Sequence, residues 1–202
     1  MDRLEEVLDT ATPLLRRVDE VLGAAGAPAG HALWAELRRV RLLPGDAVLA
    51  VSALTPSALA GAAPELRSDA RAYAEVAAGL PAPGEWTGDA ADAYDDLRRR
   101  TAAHLSGDHE SLDERLEATA DLAEALTDWM AETRARLAAT LAEILASGDA
   151  LTLLPPTTPP PMPQVIAAAD IAAHLLRSIA DSYSEGTDLL HNSTSLTTPF
   201  AI

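Results

Sequence analysis

Histidines, serines, glycines and carboxylates are the side chains from which any chemistry in this chain would be built, because it contains no cysteine. Without a thiol there is no disulfide, no thiolate metal site and no cysteine nucleophile. His104 and His109 stand five residues apart, whereas two ligands on one helical face stand at i and i+4. His31, His174 and His191 have no ligand pattern near them. Ser52, Ser106 and Ser147 lie outside any G-x-S-x-G elbow, and no strand pattern precedes them. Gly23, Gly26 and Gly30 likewise follow no strand, which argues against a dinucleotide or phosphate loop. Asp92, Asp95 and Asp96 beside Arg98, Arg99 and Arg100 are spaced as solvated helix-surface pairs. These residue types point to no catalytic centre, no metal site and no cofactor. The expectation is a non-enzymatic protein that works through its surfaces.

The elements that form those surfaces are expected to be helices. Hydrophobic residues make up 48% of the 202 positions but aromatics only 3%, so alanine and leucine supply the apolar surface. Both favour helix, and neither is β-branched. The formal net charge is −16, and every basic residue is arginine. That acidity argues against phosphate-backbone binding and against anionic membranes. It suits solubility, or a partner with a basic surface. The start, Met1-Asp2-Arg3-Leu4-Glu5-Glu6, lacks the basic region and apolar core of a cleavable leader. No run approaches the ~18 uninterrupted apolar residues of a membrane span. The chain is therefore expected to be cytoplasmic, or to leave the cell by a leaderless route.

Five segments follow from the periodicity. Residues 1–54 carry N-terminal helices: a stripe of Leu4, Leu8, Ala11, Leu15, Val18 and Leu22 that Pro13 interrupts, a helix over 31–43, and a short apolar helix capped by Asp46. Residues 55–150 form a long helical hairpin. Its first arm opens at Thr55-Pro56 or Pro64. Its second arm weakens at Ser106-Gly107-Asp108, and unbroken from 89 to 146 it would be about 85 Å long. Residues 151–163 are a proline-rich linker, 164–190 a last amphipathic helix, and 191–202 a flexible Ser/Thr-rich tail. Ile166, Ala169, Ala173, Leu176, Ala180 and Tyr183 form the apolar face of the last helix, which is expected to fold back onto the bundle, the alternative being a tethered helix that docks on another helical protein. The fold is thus an all-α, elongated antiparallel bundle built on a helix-turn-helix hairpin, with the N-terminal helices packed along it.

The hairpin turns at Gly84-Glu85-Trp86-Thr87-Gly88-Asp89. Pro81 and Pro83 stop the first arm, and Asp89 favours the positive end of the second. Trp86 is placed to close the end of the hairpin, with its ring buried between the arms. Trp86-Thr87-Gly88, with Ala90, Ala91 and an aromatic eight positions after the tryptophan at Tyr94, resembles the WxG turn of the small helical proteins handled by type VII (ESX) secretion systems. The resemblance covers about residues 56 to 146. The lysine-free, Ala- and Arg-rich composition looks like that of a high-GC, actinobacterial genome.

The resemblance implies a secretion substrate, or the heterodimer partner of one, acting by helix-on-helix recognition. Trp86, Gly88 and Tyr94 would serve as the recognition turn. Leu116, Leu126, Met130 and Leu137, from a strict 4-3 alternation along the second arm, would form the pairing or core stripe. In that family the turn is half of a bipartite export signal; the other half is a tyrosine followed four positions later by an acidic residue. Here Tyr94 is followed by Arg98, Tyr73 by Ala77 and Tyr183 by Thr187. The missing half would then come from a helical partner chain. No nucleic acid and no membrane insertion are expected.

Overall fold

The computed structural model describes residues 2–193, and these fold as an all-α helical bundle with no strand among them. Eight α-helices follow in order among the described residues: α1 (Arg3–Ala25), α2 (Leu33–Val40), α3 (Pro44–Ser52), α4 (Ala62–Gly79), α5 (Asp89–Leu105), α6 (Leu112–Leu145), α7 (Gly148–Leu153) and α8 (Met162–Asn192). They group into two compact units. Among the described residues, one comprises 2–55 with Asp128–Asp188, and the other Pro56–Thr127 with 189–193. One division falls between Thr55 and Pro56, beside the segment end at 54 that periodicity suggests, and another falls inside α6, between Thr127 and Asp128, and not near 150. The remainder of the tail, 194–202, lies outside the described residues.

The first unit has a continuous apolar core drawn from six helices. Leu4, Leu15, Val18 and Val21 of α1 meet Leu33 of α2 and Val48 and Val51 of α3. Leu137, Leu141 and Ile144 of α6, Leu153 of α7 and much of α8 complete it. Helix α8 folds back within this unit as expected, and Ala169, Ala173 and Leu176 of the expected face are buried, but its buried surface is wider than that face. Ile166 is 43% exposed, whereas Val165, Ala168, Ile171, Ala172, Leu175, Leu176 and Ile179 are buried. Between Gln164 and Ser182 only a narrow strip through Ile166, Asp170, His174, Arg177 and Asp181 is exposed. Alanines on the other sides let neighbours approach closely, so α8 is a central helix with more than one apolar face.

Several helix ends differ from the sequence reading, each for a local reason. Pro13 does not divide α1. Residues 9 and 13 both lie on the exposed side, where the carbonyl that loses its helical donor can turn to water. Helix α3 starts at Pro44 with Leu43 as its cap, which places Asp46 in the first turn instead of at the cap. Proline suits the first helical position because its fixed φ is already helical and its absent N–H is not needed there. After Thr55 the chain makes only a 3₁₀ turn, Pro56–Ala58, and α4 begins at Ala62 with Pro64 in its first turn. The stretch Pro44–Gly79 does contain a window with the length and mean hydropathy, 1.5, of a membrane span. The folded chain divides it among α3, the 3₁₀ turn and α4.

The linker before α8 is tied down by side chains. The Gln164 amide donates to the carbonyls of Thr152 and Pro155 at 3.2 and 2.7 Å. Arg17 donates to the Thr157 carbonyl and to Gln164 Oε1 at 2.9 and 3.1 Å. Buried polar groups are satisfied this way, and the prolines, which offer carbonyls but no N–H, act only as acceptors.

In the second unit α4 and α5 form the expected hairpin, and the buried apolar side chains are alanines: Ala63, Ala70 and Ala77 of α4, Ala91 of α5 and Ala120 of α6. Helix α5 ends at Ser106, and Gly107 and Glu110 take positive φ before α6 begins. Arg67 of α4 reaches Glu117 and Asp121 at 3.4 and 2.8 Å and also grips Glu124. Those carboxylates recur at i, i+4 and i+7, so they share one face of α6.

Candidate interaction site at the hairpin turn

Helix α4 ends with Leu80 in extended conformation, and the chain crosses to α5 through Pro81–Thr87. The Trp86 N–H donates to the Pro83 carbonyl at 3.2 Å, closing a tight turn. Gly88 follows at φ 98° and ψ 178° as the cap of α5, a combination open essentially to glycine alone. Its carbonyl accepts the N–H groups of Ala91 and Asp92 at 2.8 and 3.1 Å. A β-carbon at Gly88 would meet nothing within 4 Å, so the glycine is required by backbone angle and not by space. Asp89 and Asp92 stand in the first turn of α5, where negative charge meets the positive end of the helix dipole.

Tyr94, one and a half turns into α5, braces the turn. Its hydroxyl donates to the Pro81 carbonyl at 2.9 Å, and its ring tilts against that of Trp86 with centroids 5.8 Å apart. Trp86 is 52% exposed. The sequence reading put its ring between the helices, and this is corrected: a seam of alanines leaves no width for an indole, and the half-buried Tyr94 ring lies against it. The turn therefore presents a large aromatic surface on a rigid support.

The other expected residues do not gather at the turn. Leu116 and Leu126 are half-buried in the second unit, and Met130 is half-buried in the first. Leu137 is 2% exposed and belongs to the core of the first unit, so it cannot pair with another chain. The 4-3 stripe of α6 is shared between two units and is not one docking face.

The residues weighed for chemistry have structural roles. Ser147 caps α7, its hydroxyl accepting the Ala150 N–H at 3.2 Å. Ser106 and Ser111 both donate to the Asp113 carboxylate, and these bonds hold its pKa below the usual aspartate range. Arg98 pairs with Asp95 at 2.8 Å, and Arg99 with Asp95 and Asp96, along the surface of α5. His31 bonds Asp170 at 3.1 Å while its Nδ1 accepts the Leu33 N–H, also at 3.1 Å. Among the described residues no group of three His, Asp or Glu side chains is arranged to hold a metal ion.

Two positions important to the fold escaped the sequence reading. Arg134 is buried in the first unit, where it donates to the carbonyls of Ser52 and Leu54 at the end of α3 and pairs with Asp2 at 2.8 Å. Nothing local marks it, because its partners are 80 or more residues away. Gly186 lies inside α8 against the indole of Trp129; a glycine within a helical pattern was the available signal. No protein-family profile, no curated protein and no solved structure matches the chain.

Proposed function

We propose that this chain is a non-enzymatic, WxG-type protein associated with a type VII (ESX) secretion system, a substrate or the heterodimer partner of one, acting by helix-on-helix recognition. The observation that carries the reading is the exposed Trp86, held at a hairpin end by Tyr94 and by the glycine-only geometry of Gly88. An indole that is half solvated yet fixed in place is a low-entropy anchor for a partner surface. The absence of an acidic residue four positions after Tyr73, Tyr94 or Tyr183 favours the paired form of the reading, in which a helical partner carries the other half of the signal. The protein is then present in the cytoplasm and leaves with its partner by a leaderless route. Leu116, Leu126 and Met130, each half-buried, are secondary contacts at most.

The test is secretion of wild type and Trp86→Ala from the native host, with lysis controlled and cytosolic levels matched. Wild type in the medium with the variant folded but retained supports the reading. Wild type that stays inside but co-purifies with a small helical protein through Trp86 supports the companion form. Retention with no Trp86-dependent partner overturns the secretion reading and leaves a cytosolic helical scaffold or adaptor.

A further inference from the structure

The first unit carries a second feature that does not depend on the hairpin turn. Helix α1, the end of α6, and α7 with the chain just after it enclose a trough of about 500 Å³, within the size range of small-molecule sites. Its lining is mostly aliphatic. Ala150 and Leu153 are buried in it, and Leu14 and Leu145 are half-buried. Leu151 and Leu154 also line it, at 65% and 71% exposure. Two neighbouring leucines left so far in water mark a surface that a ligand can cover.

Charge and length narrow the occupant. Three charged side chains share the lining: Arg16, Arg17 and Glu20. Arg17 and Glu20 face each other at 3.6 Å and cancel. Arg16 is exposed and makes no hydrogen bond or ion pair with a described residue. Asp19 and Asp46 stand on the α3 side of Arg16, outside this lining. Neither forms an ion pair with it, and Asp19 accepts the Gly45 N–H instead. On its own lining the trough therefore holds one positive charge without a partner, in a chain of net charge −16. A docked helix would lay down an i to i+7 stripe about 10 Å long. The six-residue α7 that walls the trough is only about 9 Å long. A flexible acyl chain needs no such wall, and its carboxylate supplies the one missing charge.

We propose that this trough binds a long-chain carboxylate, with the acyl chain on Leu14, Leu151 and Leu154 and the head group on Arg16. The probe is dodecanoate below its micellar concentration, titrated calorimetrically into the intact chain. Decanoate and dodecyltrimethylammonium are the comparisons. Dodecanoate is expected to bind one to one, and more tightly than decanoate by about two- to fourfold per methylene. The cationic amphiphile, with the same chain length, should bind about tenfold or more weakly. Arg16→Gln, at an exposed position, should leave Tm unchanged and remove the preference for the carboxylate. Leu151→Ser with Leu154→Ser, both also exposed, should leave the fold unchanged by circular dichroism and weaken binding of both fatty acids about tenfold or more. No binding of dodecanoate, equal binding of the two twelve-carbon amphiphiles, or binding untouched by both variants overturns the proposal. So does self-association that the leucine variant disperses, or flotation with phosphatidylglycerol vesicles that the same variant abolishes, because the leucines then meet a second copy or a bilayer.

Discussion

The indole of Trp129 lies so close to the backbone of Gly186 that a β-carbon there would stand 2.6 Å from its Cε2. The indole N–H donates to the Ser182 carbonyl at 2.7 Å, and the ring meets Tyr183 edge-on with centroids 5.6 Å apart. Tyr183 is sufficiently enclosed that burial raises its pKa. Helix α8 thus offers one turn, Ser182 to Gly186, as a seat for a single aromatic side chain of α6.

Gly186→Ala is accordingly expected to destabilise the protein. In an exposed helix the same change would stabilise by up to about 1 kcal/mol, because alanine is the better helix former. Here the added methyl must displace an indole held by a hydrogen bond, and overpacking of this kind costs about 1–3 kcal/mol. Thermal unfolding of Gly186→Ala should show a lowered Tm. The double variant Gly186→Ala, Trp129→Leu should be less stable than wild type but show no further loss beyond Trp129→Leu alone. A Gly186→Ala protein as stable as wild type would mean that the ring is free to move aside.

Arg134 should be among the least replaceable residues of the first unit. Its guanidinium takes two carbonyls at the end of α3, where the helix dipole is negative, and also pairs with Asp2. Arg134→Met keeps the stem but orphans those carbonyls, and a loss of about 1–3 kcal/mol is expected. Arg134→Lys should recover little, since an ammonium cannot reproduce the planar fork. Asp2 makes this contact pH-dependent. The Arg134 bond holds its carboxyl below the usual range, so its contribution is present above the ordinary aspartate pKa and is lost as pH falls through the depressed value. Asp2 is largely exposed, so Asp2→Asn should lower Tm only slightly and flatten its fall in acid.

These two positions show how far the sequence could be read. The helices, the break at Ser106–Asp108 and the hairpin turn were legible because periodicity and breakers are local signals. So was the return of α8, since Leu175, Leu176 and Ile179 need burial. The full buried surface of α8 was legible only in part: Ala169, Ala173 and Leu176 of the expected face are buried, but so are Val165, Ala168 and Ala172, because alanines surround the helix and no single stripe dominates. Trp86 was found but misplaced: burial of a turn aromatic depends on the spacing of helices α4 and α5, which is set by Ala63, Ala70 and Ala77 together. The roles of Arg134 and Trp129 depend on partners distant in the chain, and a surface arginine and a core tryptophan have the same letters as a clamp and a wedge.

Asp19→Asn is expected to stabilise the protein near neutral pH. Asp19 accepts the Gly45 N–H at 3.1 Å in the first turn of α3, but partial burial, reinforced by the nearby Asp46, raises its pKa. A carboxyl that binds its proton more tightly when folded makes stability fall as pH rises from the ordinary value toward the raised one. Above that window the burden is complete; below about pH 3.8 it is absent. Asparagine retains a carbonyl acceptor for Gly45 without the charge. The Tm of Asp19→Asn should exceed that of wild type at pH 7, and the difference should vanish in acid. Equal Tm values at both pH values would mean that Asp19 is effectively solvated.

Gly88 and Trp86 should separate the support of the hairpin turn from its working surface. Gly88→Ala has open space for its methyl but must hold a backbone conformation that costs a non-glycine residue about 1–3 kcal/mol. It should lower Tm and loosen the end of α5, reducing any partner binding only as the turn frays. Trp86→Ala removes a ring that is half in water and lies against Tyr94. Its Tm should change by about 1 kcal/mol or less in stability, while partner capture and release to the medium fall together. A second variant, Tyr94→Phe, deletes the hydroxyl bond to Pro81 and keeps the ring contact. It should soften the turn by about 1 kcal/mol and leave recognition largely intact. If instead Trp86→Ala and Tyr94→Phe lower stability equally and partner capture follows stability in both, the indole is a fold residue and the exposed surface at the turn has no recognition role.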